Sequence, residues 1–441
     1  MAWMLPLSMA GVNVKPQSLV TGLTICLVVA TYASPASAQP NVATPQPGAG
    51  GSAPEPRGLL DEPRPLAKGL DFAGRRLSAG GDGGKPKTGF YPELGNMVTG
   101  AGWISAGLGF RHLLLDERVL VEATSGISWR AYKMAQVRIE LNRLARGRMA
   151  IGTQVRWQDL TQITYFGEGS HSRQLDRSEY RLESLNHVGY VTVWPRAWLA
   201  LNGRVGWLSG PHLRRPAGTF LRGNPPVDQI FPNDKVFQLA EQPDYVYGET
   251  GVTADTRDEP GYPTRGGFYR ALWTRYSDRD AGRFSFQRYE GEAAHFIPLA
   301  DRNVVVALHG WVLGTTTANG QQVPFYLLPS LGGANTLRGF SDYRFHDRHL
   351  AVVNAETRVA IFEHIDAVAF LDAGNVAARF GDLNLARTSY GMGIRVHGDE
   401  STYARLDVAR SVEGWRVVFR LNDPFGYSRL RKRTAQAPFT P

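Results

Sequence analysis

The feature that most constrains this chain is a period-two alternation of apolar and polar side chains, which recurs from residue 88 to residue 425. It is clearest near the end, where Trp415 and Phe419 share one face and Arg416 lies on the other. Strict alternation predicts β-strands that have one apolar face and one polar face. Many of the segments reach the roughly 9–11 residues that an oblique strand needs to cross a bilayer.

Alternation alone does not separate a membrane barrel from a soluble β-sandwich, because a sandwich also alternates. The connections separate them. The links 161–177, 211–243 and 316–348 are long and fall on one side of the sheet, whereas most links on the other side are tight. Long loops on one side, short turns on the other and an even number of strands are typical of bacterial outer-membrane barrels.

We therefore predict an all-β fold, a transmembrane antiparallel β-barrel of sixteen strands within residues 88–425. A closed barrel satisfies the backbone groups in lipid, which an open sheet does not. Pro92 interrupts the first predicted strand. The predicted strands are 88–96, 100–115, 117–132, 133–145, 148–160, 178–195, 196–210, 244–258, 266–278, 284–299, 302–315, 349–362, 365–377, 388–398, 402–411 and 415–425.

Composition favours strands over membrane helices. Apolar residues make up 43% of the chain and the mean hydropathy is −0.26. No apolar run after residue 87 approaches the roughly 18 residues of a transmembrane helix. The net charge of +9 comes from arginines spread along the chain, without a basic run interleaved with aromatic residues. We expect no nucleic-acid partner; the arginines instead fit a polar lumen or contacts to outer-membrane lipids and lipopolysaccharide.

The N-terminus predicts export. An apolar run, Leu19–Thr31, follows Lys15 and precedes Ala36-Ser37-Ala38. This run is too short to span a bilayer comfortably, and the small residues resemble a signal-peptidase site. We predict a cleaved signal peptide at residues 1–38, export through the inner membrane and location in the outer membrane of a Gram-negative cell.

Residues 39–87 are rich in Pro, Gly and Ala. Such a composition buries too little apolar surface to offset the entropy of ordering, so it predicts a flexible periplasmic linker. Residues 426–441 form a predicted C-terminal tail. Because Cys26, the only cysteine, lies in the signal peptide, we expect neither disulfides nor thiolate metal sites.

Four motifs follow one another in the second half of the chain. They are Asp255-Thr256-Arg257-Asp258 with Tyr262-Pro263-Thr264-Arg265-Gly266-Gly267, then Leu337-Arg338-Gly339-Phe340, then Asn354-Ala355-Glu356-Thr357-Arg358, and finally Phe370-Leu371-Asp372-Ala373-Gly374-Asn375. Each is weak alone. In this order they resemble the outer-membrane assembly-factor superfamily, the bacterial surface antigen family of BamA/TamA type. The clear resemblance covers roughly residues 250–425 and implies a sixth extracellular loop that folds into the lumen.

The resemblance implies that the motif Leu337-Arg338-Gly339-Phe340 locks this loop. Its expected lumen partners are Asp372 first, with Glu356, Phe370 and Gly374 nearby. The physical argument agrees, because carboxylates in a partly desolvated lumen need a cation and arginine can bind a carboxylate in bidentate fashion. Alternatively, Arg338 is an exposed loop residue and Asp372 belongs to a β-turn.

Two further sets of residues resemble family signatures. Asp255, Arg257, Asp258, Pro263 and Gly266 form the turn signature. Gly414, Val417, Phe419 and Phe425 resemble the terminal-strand signal by which assembly machinery recognises a barrel, or else belong to an ordinary amphipathic strand. The chain departs from the family by continuing past Phe425. It also departs in that residues 39–87 are too few for a polypeptide-transport-associated (POTRA) domain.

The expected function is assistance in inserting or translocating proteins or lipids at the outer membrane, with nascent outer-membrane proteins or periplasmic proteins as possible partners. The alternatives are an anion-favouring channel and a structural surface antigen. We expect no enzyme, no cofactor and no metal. Ser170-His171-Ser172 lies in a loop without a nucleophile elbow, and His295, His309 and His364 lack metal-ligand spacing.

Overall fold

The computed structural model describes residues 58–63, 88–94, 105–217, 223–232, 240–299, 303–398, 402–421 and 425. The predicted signal peptide and the tail 426–441 lie outside the described residues. The strands are Gly89–Leu94 (β1), Ser105–Leu114 (β2), Val119–Ser128 (β3), Lys133–Arg143 (β4), Met149–Tyr165 (β5), Ser178–Arg196 (β6), Leu199–Arg214 (β7), Tyr245–Asp255 (β8), Gly266–Asp278 (β9), Phe286–Leu299 (β10), Val304–Thr316 (β11), Ser330–Leu331 (β12), Phe345–His346 (β13), His349–Phe362 (β14), Ile365–Ala377 (β15), Arg387–His397 (β16), Thr402–Ser411 (β17) and Gly414–Arg420 (β18).

The helical elements that lie wholly within the described residues are single turns. These are Leu144–Gly147 and Val227–Ile230, with 3₁₀ turns at Gln174–Asp176, Phe325–Leu327 and Phe380–Asp382. Within the described part of the chain, no helix is long and apolar enough to cross a membrane.

Sixteen strands form one antiparallel sheet, in the order β1 to β11 followed by β14 to β18. The short strands β12 and β13 pair with each other inside the connection between β11 and β14. This order confirms the predicted all-β architecture of sixteen antiparallel strands. No ladder joins β1 to β18 among the residues described, so these two strands are the edges of the sheet.

The connections alternate between two ends of the sheet. At one end, here called the loop end, the third, fourth and sixth links are long and comprise residues 166–177 (loop 3), 215–244 (loop 4) and 317–348 (loop 6). At the other, the turn end, the links 197–198 and 363–364 are tight. The predicted asymmetry between long loops and short turns is therefore confirmed.

Strand β4 shows that the two faces of the sheet are reversed relative to a soluble protein. Val137 and Ile139 are 49% and 44% exposed, whereas Arg138 and Glu140, which alternate with them, are 5% and 1% exposed. Apolar residues thus form the outer surface and charged residues line the interior. A soluble sandwich buries its apolar face, so this reversal favours a lipid-facing surface.

Two strands extend further toward the loop end than predicted. Strand β5 continues to Tyr165 instead of ending at residue 160, and β7 continues to Arg214 instead of residue 210. From Gln158 to Tyr165 every side chain is buried, and the register of β5 against β6 shifts between Leu160 and Ile163. A stretch that is covered on both faces loses the alternation that reveals a strand.

Residues 58–63, which belong to the predicted linker, contact the turn end of the sheet. The amides of Leu59 and Leu60 donate to the carbonyl oxygens of Ala360 and Ile361 at 3.0 and 2.9 Å. The carbonyl oxygens at the end of β14 are thus the hydrogen-bond acceptors for this segment. Its amino-acid composition carries no information about such a contact.

A lysine on the outer face tests the assignment of this face to lipid. Val137→Lys should lower the free energy of unfolding in lipid vesicles by about 2–4 kcal/mol, because a charge is placed near the middle of the hydrocarbon layer. The matched control is Val412→Lys, in the turn between β17 and β18, where the valine is 82% exposed. This control should change the free energy by less than about 0.5 kcal/mol. Equal effects of the two lysines would contradict the lipid-facing assignment.

Candidate functional site: the loop 6 lock and the turn-end contacts

Loop 6 packs on the inner face of the sheet. Leu337 and Phe340 are 0% and 1% exposed and belong to one apolar cluster with Leu350, Val352 and Val376, which lie on β14 and β15. Burial of side chains of this size is worth about 1.5–3 kcal/mol each. The apolar residues on both sides of Arg338 therefore hold the middle of the loop against the barrel wall.

Gly339 is required by a close approach between loop 6 and two strands. A Cβ atom at this position would lie 2.6 Å from the Cβ of Ser389 on β16 and 2.9 Å from the Cβ of Ser411 on β17. Real Cβ atoms do not approach that closely. The Ser411 hydroxyl donates to the Gly339 carbonyl oxygen at 2.8 Å, so this backbone contact also carries a hydrogen bond.

The Arg338 guanidinium is 1% exposed and lies between two carboxylates. Its Nε donates to Asp372 Oδ2 at 3.0 Å and its Nη2 donates to Asp372 Oδ1 at 2.5 Å, which is a bidentate pair. Its Nη1 donates to Glu356. The Arg338 backbone amide also donates to Asp372 Oδ2 at 3.1 Å. The structure thus places Arg338 against both carboxylates and not in an exposed position.

Phe370 and Gly374 also lie beside this pair. The Arg338 Cζ atom is 3.5 Å from the centroid of the Phe370 ring, which is a cation–π contact. Gly374 is on the same strand, where a Cβ would lie 2.7 Å from the Ala351 carbonyl oxygen. Phe370 thus contacts the guanidinium face, while Gly374 allows close pairing of β14 with β15.

The two carboxylates are held by further partners. Asp372 accepts hydrogen bonds from Asn354 Nδ2 at 2.8 Å and from the Ser389 hydroxyl at 3.0 Å. Glu356 accepts from Arg358 Nε at 3.1 Å and from Arg395 Nη2 at 2.8 Å. Every member is buried, and buried charges of this kind require full pairing.

The network extends to residues that the motifs did not identify. Asp407 on β17 accepts from Arg395 and, at 3.1 Å, from Arg405. Arg405 Nη2 in turn donates to the Ala334 carbonyl oxygen of loop 6 at 2.8 Å. Arg405 and Asp407 alternate with apolar residues on their strand. That parity places them in the interior, but only the fold shows that they reach loop 6.

Loop 3 closes over loop 6 at the loop end. The Arg344 guanidinium donates to the Ser172 hydroxyl at 2.8 Å and to its carbonyl oxygen at 2.7 Å, and it also pairs with Glu413 at 2.7 Å. The amide of Gly169 donates to the His346 carbonyl oxygen at 2.7 Å. Ser172, which is predicted to lie in a loop, thus contacts loop 6.

The loop end also contains an aromatic cluster that the sequence pattern does not indicate. Phe325 of loop 6 lies between Tyr165 and Tyr180, with ring centroids 5.1 and 5.2 Å apart. Tyr245 and Tyr276 belong to the same cluster. These inward tyrosines occupy positions that alternation marks as polar, so the pattern alone could not identify an apolar cluster there.

The turn 256–265 carries the predicted turn signature. Arg257 donates through Nη2 to Asp255 at 2.8 Å. Gly266 has a φ of +91°, and a Cβ there would lie 2.2 Å from the Thr256 carbonyl oxygen. Pro263 lies within the turn, beside Thr264, whose hydroxyl donates to Asp258 at 2.5 Å. These residues hold the turn in one shape.

The same turn contacts strands on another part of the wall. The buried Tyr262 hydroxyl donates to Asp366 on β15 at 2.5 Å, and its ring stacks on His397 of β16 with centroids 3.6 Å apart. The Thr402 amide of β17 donates to the Gly261 carbonyl oxygen at 3.1 Å. The turn signature therefore joins the β8–β9 turn to β15, β16 and β17.

The terminal strand differs from the prediction. Gly414 begins β18 with a φ of +112°, and Val417 and Phe419 lie on the outer face at 67% and 43% exposure. The strand ends at Arg420 instead of residue 425. Phe425 is 4% exposed and packs in a cluster with Phe268 and other inner-face residues. Phe425 is therefore not the outward-facing end of a strand, because its ring is buried among apolar side chains of the interior.

Loss of the Arg338 guanidinium should be strongly destabilising. Arg338→Ala leaves Asp372 and Glu356, both with 0% exposed side chains, without their shared partner, at an expected cost of about 3–5 kcal/mol in the free energy of unfolding. The control Arg143→Ala removes a pair with Glu117 whose side chains are 62% and 57% exposed, and should cost at most about 1 kcal/mol. Urea unfolding and protease cleavage within loop 6 measure both effects. A wild-type cleavage rate in Arg338→Ala would contradict the lock.

Asp258 should make the turn sensitive to acid. Burial alone would raise the pKa of Asp258, but the hydroxyl of Thr264 and the amides of Thr264, Glu259 and Arg265 hold it below its ordinary value. A lowered pKa in the folded state stabilises the protein above the ordinary aspartate pKa of about 3.9, and this stabilisation is lost as the pH falls through the folded value.

Asp258→Asn should therefore be less stable than wild type at pH 7, and the difference should shrink as the pH is lowered toward 3. Urea unfolding between these pH values measures it. Asp116→Asn, in the exposed turn 115–118, is the control and should follow the wild-type curve. A constant difference between Asp258→Asn and wild type at all pH values would contradict this account.

Comparison with known proteins agrees with this geometry. Residues 233–411 match the Omp85 superfamily domain. The structure is similar to BamA from Haemophilus ducreyi lacking POTRA domains 1–3, with 13% identity, a TM-score of 0.57 and coverage of 76% of this chain and 71% of that chain. It is also similar to CdiB from Escherichia coli, with 13% identity, a TM-score of 0.52 and coverage of 76% and 63%. No curated protein matches.

This chain spans less than two thirds of the CdiB chain. At 13% identity, the likeness to the two solved structures shows the fold alone. The matched domain contains the turn signature, loop 6 and both lock strands. Residues 233–411 of this chain therefore carry an Omp85 superfamily domain.

Proposed function

We propose that this barrel assists the insertion or translocation of proteins or lipids at the outer membrane. The observation that carries the proposal is the lock of Arg338 on Asp372 and Glu356, next to a sheet whose two edge strands are short. The family resemblance further implies that loop 6 braces the lumen while a seam between the first and last strands opens laterally. That proteins or lipids are what the barrel inserts or translocates is likewise proposed.

The lengths of the edge strands support a weak seam. Strands β1 and β18 have 6 and 7 residues, whereas β5 and β6 in the middle of the sheet have 17 and 19. At a net contribution of about 0.5–1.5 kcal/mol per hydrogen bond, any ladder between two strands this short would open at far lower cost than the ladders in the middle of the sheet. Opening would expose backbone donors and acceptors, to which an incoming strand can add.

Loop 6 supports an asymmetric opening, because it is bonded to the C-terminal side of the seam. Arg416 on β18 donates through Nη1 to the Phe340 carbonyl oxygen at 2.7 Å and pairs with Asp342 at 3.2 Å. Arg405 and Ser411 make the bonds to loop 6 from β17 that are described above. With this side braced, separation at the seam would be carried by movement of β1 and its neighbours.

The partners follow from the exposed groups of the barrel. The apolar outer face fits lipid tails, and the arginines fit the phosphates of lipopolysaccharide. An opened β18 edge fits nascent outer-membrane proteins, since these arrive as strands with unpaired backbones. Periplasmic proteins that deliver such chains would act at the turn end. We propose no enzymatic step for any of these partners.

An anion-favouring channel is the second candidate. Arg130 has two buried guanidinium nitrogens, and Arg177 one, that make no hydrogen bond among the described residues. These unsatisfied cations would attract anions. The aromatic cluster around Phe325 opposes a steady pore, because it fills space at the loop end with apolar rings.

Depletion of the protein tests the proposal. We expect the outer-membrane content of other barrels or of lipids to fall, and complementation by Arg143→Ala but not by Arg338→Ala to restore it. Immunoblots of folded barrels and lipid mass spectrometry measure this outcome. Unchanged membrane composition together with a large, steady, anion-selective single-channel current from the intact protein would overturn the proposal and support the channel.

A further inference from the structure

Residues 58–63 bring an acidic side chain to the turn end of the barrel. The segment is held by the Leu59 and Leu60 amides, as described above, and by the Gly58 amide, which donates to Asn303 Oδ1 at 3.2 Å. Four residues after Gly58, Glu62 reaches the turn 363–364 between β14 and β15. The rim cluster, defined here as Glu62, Glu363 and His364, therefore combines residues from two distant parts of the sequence.

The Glu62 side chain is only 5% exposed. Its Oε2 atom lies 2.7 Å from His364 Nδ1, but its Oε1 atom is buried and makes no hydrogen bond among the described residues. A buried carboxylate oxygen without a partner is costly. Glu363 adds an exposed carboxylate beside this pair, and one ligand atom from each of the three residues lies within 4.8 Å of the others.

We propose that the rim cluster binds a divalent transition-metal ion of the Zn²⁺ class. One imidazole nitrogen and two carboxylate oxygens are a ligand set that Zn²⁺ accepts, with bonds of about 2.0–2.2 Å. In a tetrahedral site with such bonds, two ligand atoms lie about 3.4 Å apart. Ligand atoms within 4.8 Å of one another must therefore close by roughly 1 Å, and the exposed Glu363 is the side chain placed to make this movement. The unpartnered Oε1 of Glu62 is available to the ion, and a fourth position is left for water.

The neighbouring groups are compatible with a bound cation. The His397 ring lies 6.3 Å from the His364 ring, and His397 Nε2 is 3.3 Å from Asp366 Oδ1, which holds it in a separate contact. The Tyr262 ring covers His397. The rim cluster therefore faces carboxylates and imidazoles, and no arginine or lysine of the described residues forms an ion pair with its three members.

A bound ion would join the segment ahead of the barrel to the strands of the lock. The turn 363–364 connects β14, which carries Glu356, to β15, which carries Asp372. The ion would act as a clip that fixes residues 58–63 at the turn end, and metal supply would set how firmly this segment is held.

Metal binding to the full chain, folded in detergent and freed of metal by a chelator, tests this proposal. Isothermal titration with Zn²⁺ should give one ion per chain, and His364→Ala should weaken binding at least tenfold. His171→Ala, the same substitution in the exposed part of loop 3, is the matched control and should bind as wild type. Glu62→Gln should also weaken binding, since an amide is a poorer ligand than a carboxylate; circular dichroism checks that each variant folds.

A second readout separates the clip from adventitious binding. Zn²⁺ should slow hydrogen exchange of the Leu59 and Leu60 amides at least severalfold in wild type and in His171→Ala, but not in His364→Ala. Absence of saturable binding, equal binding by His364→Ala, or binding without slower exchange of these amides would each overturn the proposal.

Discussion

The charged side chains around Arg338 lie in the interior, where a buried charge is costly unless a counter-charge lies beside it. Glu356 and Asp407 pair with arginines from β14, β16 and β17, whereas Asp372 pairs with Arg338. Arg338 is the member of this network supplied by a loop. The fold of loop 6 therefore depends on a charge balance that the strands alone do not complete. Such a network chiefly specifies one arrangement and adds little net stability.

The parts of the fold that could be predicted from sequence are those with a local signal. Alternation marks β4, β16 and β17, since each has one face in the interior and one outside, and the order of strands follows from chain order in an antiparallel sheet. Near Tyr165 both faces of β5 are covered, and the signal disappears although the strand continues. The pairing of Arg338 with carboxylates is implied by the family resemblance. The inward parity of Glu356 and Asp372 agrees with it, because carboxylates in a partly desolvated lumen need a cation.

Contacts between distant segments carry no such signal. Tyr262 reaches Asp366 across 104 positions and Glu62 reaches His364 across 302. No spacing rule joins residues so far apart, which is why His364 lacks any metal-ligand pattern in the sequence. Phe425 is a similar case. An alternating run predicts that it continues the last strand, but its ring gains more from burial beside Phe268 than from exposure at the end of a strand.

The contacts made by loop 6, the turn 256–265 and residues 58–63 all reach strands β14 to β18. Loop 6 bonds to β14, β15, β17 and β18 and packs against β16. The turn 256–265 bonds to β15 and β17 and stacks on β16, and residues 58–63 bond to the end of β14. The C-terminal wall is thus held at both ends of the barrel. Strand β1 is short and lies at the opposite edge of the sheet. In the proposed lateral opening, a sheet braced on one side of its two edges would yield at the other, so the position of the lock would also determine which strands separate.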